Sequence, residues 1–252
     1  MKKLLLIILV AAMAIGANAQ KTYVLLAGVS KYAAESAELS YTSKDVKELR
    51  AIFKRQGYVV TTLTSKYVVR SQISEKIAAI ARLAKPEDKV IFCFSGHGSP
   101  GGIVMQDLSL LAYHELVNML LQVKARQIVC FIDACHSGSV TSDVTGSYTW
   151  SDEVGKHGIS FVMGCRAEEY SYENGWLGNG MLTQALKKGL RGMADGWAEA
   201  GGRGPKDKKI TLIELYNYIY NDVTVHTATY EQVQHPQLIG PGSAHSTVIT
   251  QW

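Results

Sequence analysis

Two apolar runs that stop abruptly at small and polar residues constrain this chain more than any other feature. Val90 to Phe94 (VIFCF) ends at Ser95-Gly96-His97-Gly98, and Ile128 to Ile132 (IVCFI) ends at Asp133-Ala134-Cys135-His136-Ser137-Gly138. Unbroken β-branched and aromatic runs of this length suit strands buried on both faces, as in a parallel sheet covered by helices. In such sheets ligands gather at the carboxyl ends of the strands. The two runs therefore deliver one imidazole, His97, and one thiol, Cys135, to the same edge. A thiol beside an imidazole is the minimum for a cysteine nucleophile: the imidazole takes or shares the proton, and the thiolate attacks a carbonyl carbon. Gly98 has no Cβ, so its N–H can approach a ligand closely, and the amides of Gly98 and Cys135 form a candidate oxyanion hole.

The rest of the chain repeats the alternation. Thr22 to Val29 reads as a first strand, followed by a helix whose apolar positions Val46, Leu49, Ile52 and Phe53 keep helical spacing, with Ser43 as N-cap and Gly57 as stop. Tyr58 to Leu63 reads as a second strand, and Ile73, Ile77, Ile80, Ala81 and Ala84 share one face of a second helix. Ile103 to Met105 suits a small hairpin, and Leu110 to Leu121 an amphipathic helix before the strand that carries Cys135. Downstream, Ile159 to Cys165 reads as a strand and Met181 to Leu190 as a helix. Thr211-Leu212-Ile213-Glu214 has the form of a capping box opening a helix through Tyr220. Pro236 to Ile239 and Thr247 to Thr250 fit edge strands or loop. The pattern is that of an α/β sandwich with a mostly parallel central sheet and right-handed crossovers.

At the two motifs the chain resembles the caspase-like cysteine peptidases, closest to the metacaspase and bacterial caspase-like branch of the clan that also holds gingipains, clostripain and legumain. The resemblance implies an α/β/α sandwich and a Cys-His dyad with Cys135 as nucleophile and His97 as proton carrier. It covers roughly Thr22 to Ile239 and is sharp only at the motifs. True caspases carry Gln where this chain has Asp133. A carboxylate two residues before the nucleophile, flooring a pocket beside it, attracts the guanidinium or ammonium of Arg or Lys. Tyr170-Ser171-Tyr172-Glu173 resembles the caspase segment that ends in an Arg contacting the substrate's Asp, and Glu173 occupies that place here. The resemblance thus implies cleavage after Arg or Lys. The loop from Ser139 to Gly158 matches the segment where many members are cut, which makes Lys156 a candidate self-cleavage site. An inactive binding module, or a transpeptidase or ligase using the same acyl-enzyme, remains the alternative. His136, next to the nucleophile, reads as structural or substrate-facing.

Residues 1–19 read as a signal peptide, with Lys2 and Lys3 as the basic region, Leu4 to Ile15 as the apolar region and Ala17-Asn18-Ala19 before the cut; residues 20–252 then form the peptidase domain. Export to a periplasm or beyond is expected, with no stable membrane insertion after cleavage. Losing Lys2 and Lys3 takes the formal charge from +4 to +2, and nothing suggests a basic face for nucleic acid. The expected partner is a peptide or protein substrate. Cys93, Cys130 and Cys165 read as small core residues. The acids Asp143, Asp152 and Glu153 form no calcium-loop pattern, His114, His157, His226, His235 and His245 lack metal-ligand spacing, and no cofactor is expected.

Overall fold

The computed structural model describes residues 20–141, 154–174 and 179–252. The expected signal peptide and the acids Asp143, Asp152 and Glu153 lie outside the described residues. Along the chain, β1 (Thr22–Gly28) is followed by α1 (Thr42–Arg55), β2 (Val59–Thr64), α2 (Arg70–Leu83) and β3 (Lys89–Ser95). A three-stranded sheet of β4 (Gly98–Ser99), β5 (Gly102–Val104) and β6 (Leu110–Ala112) leads into α3 (Tyr113–Leu120) and β7 (Gln127–Asp133). Then come β8 (Ile159–Met163), the short pair β9 (Glu173–Asn174) and β10 (Asn179–Gly180), α4 (Met181–Lys188), β11 (Lys209–Thr211), α5 (Leu212–Ala228), β12 (Gln237–Ile239) and β13 (Val248–Gln251).

The central sheet runs β2-β1-β3-β7-β8-β12; the first five strands are parallel and β12 is antiparallel on the edge of β8. Alternate residues of each strand enter different cores, as a pleated sheet requires. Leu25, Phe92, Cys130 and Phe161 pack with Ile73 and Ile77 of α2 and Leu116 and Leu120 of α3. Val24, Ile91, Phe131 and Val162 pack with Leu49 and Phe53 of α1, Leu186 of α4 and Leu215 and Ile219 of α5. The expected α/β/α sandwich is the observed architecture. Cys93 and Cys130 are buried free thiols inside it.

Several expected boundaries move. Helix α1 starts at Thr42, so Ser43 is not its cap; the Ser43 hydroxyl instead meets that of Ser30 at 2.7 Å. Leu110 to Ala112 are strand and not helix, because β5 offers them an antiparallel ladder that satisfies their backbone. Helix α4 ends at Lys188 and widens into a turn over Gly189–Met193. The capping box at Thr211 forms: Glu214 accepts from the Thr211 N–H at 2.9 Å, and Thr211 Oγ1 accepts from the Glu214 N–H at 3.4 Å. The helix it opens passes Tyr220 and reaches Ala228. There the buried Val223 and Thr227 override their weak helix propensity, and Thr227 Oγ1 donates back to the Val223 carbonyl at 2.9 Å. Val248–Gln251 is a strand, but it pairs with β11 in a separate ribbon.

Phe131 is 1% exposed at the centre of the second core. Phe131→Ala should therefore cost about 3–5 kcal/mol of unfolding free energy, and Thr211→Ala about 1 kcal/mol. Urea titrations followed by circular dichroism measure both, and an unshifted midpoint for Phe131→Ala would contradict this packing.

Candidate active site

The site is set by the pairing of β3 with β7. Ser95 and Asp133 are register partners at the carboxyl ends of these strands, and the Gly96 N–H donates to the Asp133 carbonyl at 3.1 Å. The two motifs thus leave the sheet side by side. A methyl group at Gly98 would overlap the Cys135 carbonyl oxygen, so this close approach of the two backbones requires glycine.

Around this contact each reactive side chain has its own anchor. The His97 N–H donates to the Tyr32 hydroxyl at 2.6 Å, and the two rings lie 4.8 Å apart, centroid to centroid. His97 Nε2 sits 2.8 Å from the Ala37 carbonyl oxygen. A carbonyl only accepts, so Nε2 carries the proton and Nδ1 holds the lone pair. The half-buried Cys135 thiol points at the Ser171 carbonyl, 3.5 Å away. Burial pushes this thiol up; the Ser171 contact pulls it down, and the charge of Asp133 adds to the rise. Among the described residues no hydrogen bond joins imidazole to thiol. The resting group is a protonated thiol, which as a nucleophile would need a base.

Asp133 lies beneath this edge on the face shared with α1 and α4. Its Oδ1 accepts from Ser171 Oγ at 2.6 Å, and its Oδ2 accepts from the Thr183 N–H and hydroxyl, both at 2.8 Å. A second carboxylate, Asp45 of α1, joins it. Ser95 Oγ donates to Asp45 at 2.9 Å, and the Asn179 amide and the Gly180 N–H (3.4 Å) also donate to it. Asn179 Oδ1 in turn accepts from Lys187 Nζ at 2.6 Å, and Lys187 pairs with Glu48. Burial, then the charge of Asp133, pushes Asp45 up to about 7 against the pull of its three donors. Burial also raises Asp133, opposed by Ser171 and Thr183. A small cavity of about 10 Å³ lies beside the two acids, lined by Asp45, Ser95, Asp133 and Thr183 together with apolar groups such as Leu26, Phe94 and Leu186, about the volume of one water sphere.

The family model described as the caspase domain matches residues 21–240. The chain belongs to the caspase-domain family. It is thereby a cysteine-type peptidase domain at the general level of that family. A vacuolar-processing enzyme of Glycine max is 33% identical over 61 residues, which is 23% of this chain and 12% of that protein. A Geobacter sulfurreducens protein of known crystal structure superposes with a TM-score of 0.65 at 17% identity, covering 92% of this chain and 99% of the other, a likeness of fold.

The remaining expected residues fall around the caspase-domain site as follows. His136 takes a left-handed backbone (φ 53°), donates its N–H to the Glu169 carbonyl at 3.0 Å, and holds the Ala167 carbonyl through Nδ1 at 2.8 Å. It anchors the segment that carries Ser171. Cys165 is buried, and burial pushes its thiol up to about 11. Glu173 lies in β9 opposite Gly180, and its side chain lies outside the described residues. Lys156 is exposed on a helical turn over residues 154–156. Among the described residues no three His, Cys, Asp or Glu groups gather as a metal site, and no helix is long and apolar enough to cross a membrane. Asp45, Tyr32, Ala37 and Ser171 were not singled out by sequence reasoning. Asp45 did carry a signal: it shares one helical face with Val46, Leu49 and Phe53, an acid where an apolar residue belongs.

The raised Asp45 has a consequence for stability. Its folded value of about 7 lies above the unfolded value near 3.8, so between these pH values the folded state binds more protons than the unfolded state. Stability contributed by this group is present below that window and is lost as pH rises through it. Chemical denaturation at pH 5 and pH 8 should show the parent losing more stability than Asp45→Asn on the same step, by an amount on the order of 2 kcal/mol. Equal losses in the two proteins would contradict this.

Proposed function

We propose that this caspase domain is an exported cysteine endopeptidase that cleaves after Arg or Lys with a Cys135-His97 dyad. The observation that carries the reading is the fixed tautomer of His97. With Nε2 held by the Ala37 carbonyl, the free lone pair is at Nδ1, ready to accept the thiol proton. Cys135 Sγ then attacks the scissile carbonyl carbon, and the oxyanion turns to the amides of Gly98 and Cys135. His97 returns the proton to the leaving amine, and water resolves the thioester.

The preference for Arg or Lys rests on charge. Asp45, Glu48 and Asp133 are three acids under the catalytic edge, and Lys187 is the cation bonded into their network. Carboxyls pushed up by burial ionise more readily beside a cationic side chain than beside an anionic one, which favours Arg or Lys. Asp133, buried beneath the edge, is the proposed selecting acid, and Glu173, in β9 opposite Gly180, the proposed second one. Lys156, exposed after the loop, is the proposed self-cleavage point. Export rests on the basic, apolar and small-residue order of residues 1–19.

Matched fluorogenic peptides ending in Arg, Lys or Asp test the reading with the chain from residue 20. Turnover is expected after Arg and Lys, absent in Cys135→Ala and reduced about 10²–10⁴-fold in His97→Ala. Asp133→Asn should raise KM for the Arg peptide more than it lowers kcat. Preference for the Asp peptide would overturn the charge argument, and silence on every peptide with unlabelled Cys135 would favour a binding module. On a denaturing gel the parent, but not Lys156→Ala or Cys135→Ala, should release two fragments; an uncut parent removes the self-cleavage proposal.

A further inference from the structure

Helix α4 begins beside Asp133, where Thr183 reaches that carboxylate, and runs toward the amino edge of the sheet. The turn after it is tied to β13 there, with Thr250 Oγ1 donating to the Leu190 carbonyl at 3.3 Å, and Lys89, the first residue of β3, donates to the Val248 carbonyl. At this end, away from the reactive thiol, three cations line one pocket of about 480 Å³: Arg191, Arg203 and Lys206. Trp197, Trp252 and Met193 share its wall and rim, and among the described residues no carboxylate lines it. Among the described residues none of the three cationic groups makes a hydrogen bond or ion pair. Of the acids nearby, Asp195, Asp207 and Asp222 are engaged elsewhere, and Glu199 is exposed in the loop between Trp197 and Arg203. Asp195 accepts the N–H groups of Asp207 (3.1 Å) and Lys208 (3.3 Å), and Asp222 pairs with Lys188 at 3.1 Å.

The arrangement is held ready in advance. The Arg203 guanidinium stacks 3.5 Å from the Trp197 ring centroid, and the two residues are bridged through their backbones. The loop between them is closed by Ala198 N–H to Gly202 O at 3.0 Å and Gly204 N–H to Gly196 O at 2.6 Å. A stacked guanidinium keeps its N–H edge free to fork a carboxylate. Met193 and Trp252 are 58% and 54% exposed beside these charges, large apolar groups left uncovered by the described residues.

We propose that this pocket binds an acidic peptide segment in which carboxylate side chains flank an apolar one. The carboxylates pair with Arg203, Arg191 and Lys206, and the apolar side chain covers Met193 and Trp252. A nucleic-acid strand fits less well, because its backbone calls for a basic track and these cations are confined to one concave spot. The proposal is independent of the cleavage reading, since binding is measured on inactive protein.

The test uses the chain from residue 20 with Cys135→Ala and a dye-labelled peptide of Asp and Glu around one Leu, followed by fluorescence anisotropy. Saturable binding that weakens with salt is expected, about tenfold weaker in Arg203→Ala and in Lys206→Glu, and weaker for the peptide with Ser in place of Leu. Thermal unfolding checks that each variant is folded; if Arg203→Ala is not, the exposed Lys206→Glu decides. No saturable binding at low salt, or equal binding by parent and Lys206→Glu, overturns the proposal. So does displacement of the peptide by oligothymidylate or inorganic phosphate at lower concentration than by unlabelled peptide.

Discussion

The parallel pairing of β3 with β7 is the contact on which the site depends. It sets Ser95 against Asp133, and everything chemical follows within a few residues of that pair. A slip of one residue would displace one motif by about 3.3 Å along the strand and turn its side chains to the opposite face. Asp133 would then leave the layer of α1 and α4, losing Thr183 and its proximity to Asp45. The continuous apolar runs of the two strands make such a slip expensive, because each residue is matched to one of two separately packed cores. The fold's stability and the position of the thiol are therefore secured by the same hydrophobic register.

Beneath that register the protein tolerates an electrostatic arrangement that packing alone would not select. Asp45 and Asp133 are both buried among apolar neighbours, and Lys187 is directed to Glu48 and Asn179 and not to either of them. Hydrogen bonds from Ser95, Asn179, Gly180, Ser171 and Thr183 take the place of a counter-ion. They do not fully offset the lost hydration, which is why Asp45 is pushed up to about 7. A carboxylate poised near neutrality responds to an arriving cation by releasing its proton. Under the proposed preference for Arg or Lys, the same residue that weakens the empty fold at high pH would strengthen the attraction for the substrate's basic side chain.

Much of this was legible in the chain because it rests on local patterns. Strand runs ending in Gly-His-Gly and in Asp-Ala-Cys-His-Ser-Gly reveal the sheet edge, and the Thr211 capping box is read directly from residue types at fixed spacing. What escaped depends on contacts between distant segments. Tyr32 and Ala37 lie about sixty residues before His97, in a stretch without periodicity, and only folding brings them to the imidazole. The strand at Leu110–Ala112 reads as helix until β5 is known to offer a ladder. His136 is likewise governed by something other than the alternation of strand residues. β7 ends at Asp133, so the orientation of His136 is set by its left-handed backbone and the Ala167 and Glu169 carbonyls.

The separate anchoring of His97 and Cys135 has a chemical logic of its own. A thiol hydrogen-bonded to an imidazole tends toward the ion pair, and a standing thiolate is open to oxidation and alkylation. Here burial and the nearby Asp133 favour the neutral thiol, against the pull of the backbone contact with Ser171. The imidazole is fixed at its far nitrogen and at its backbone, so its orientation does not depend on the thiol. In the proposed mechanism an arriving peptide displaces the Ser171 contact and the thiol proton passes to Nδ1. On that proposal activation is coupled to occupancy through the segment around Ser171 that also holds Asp133.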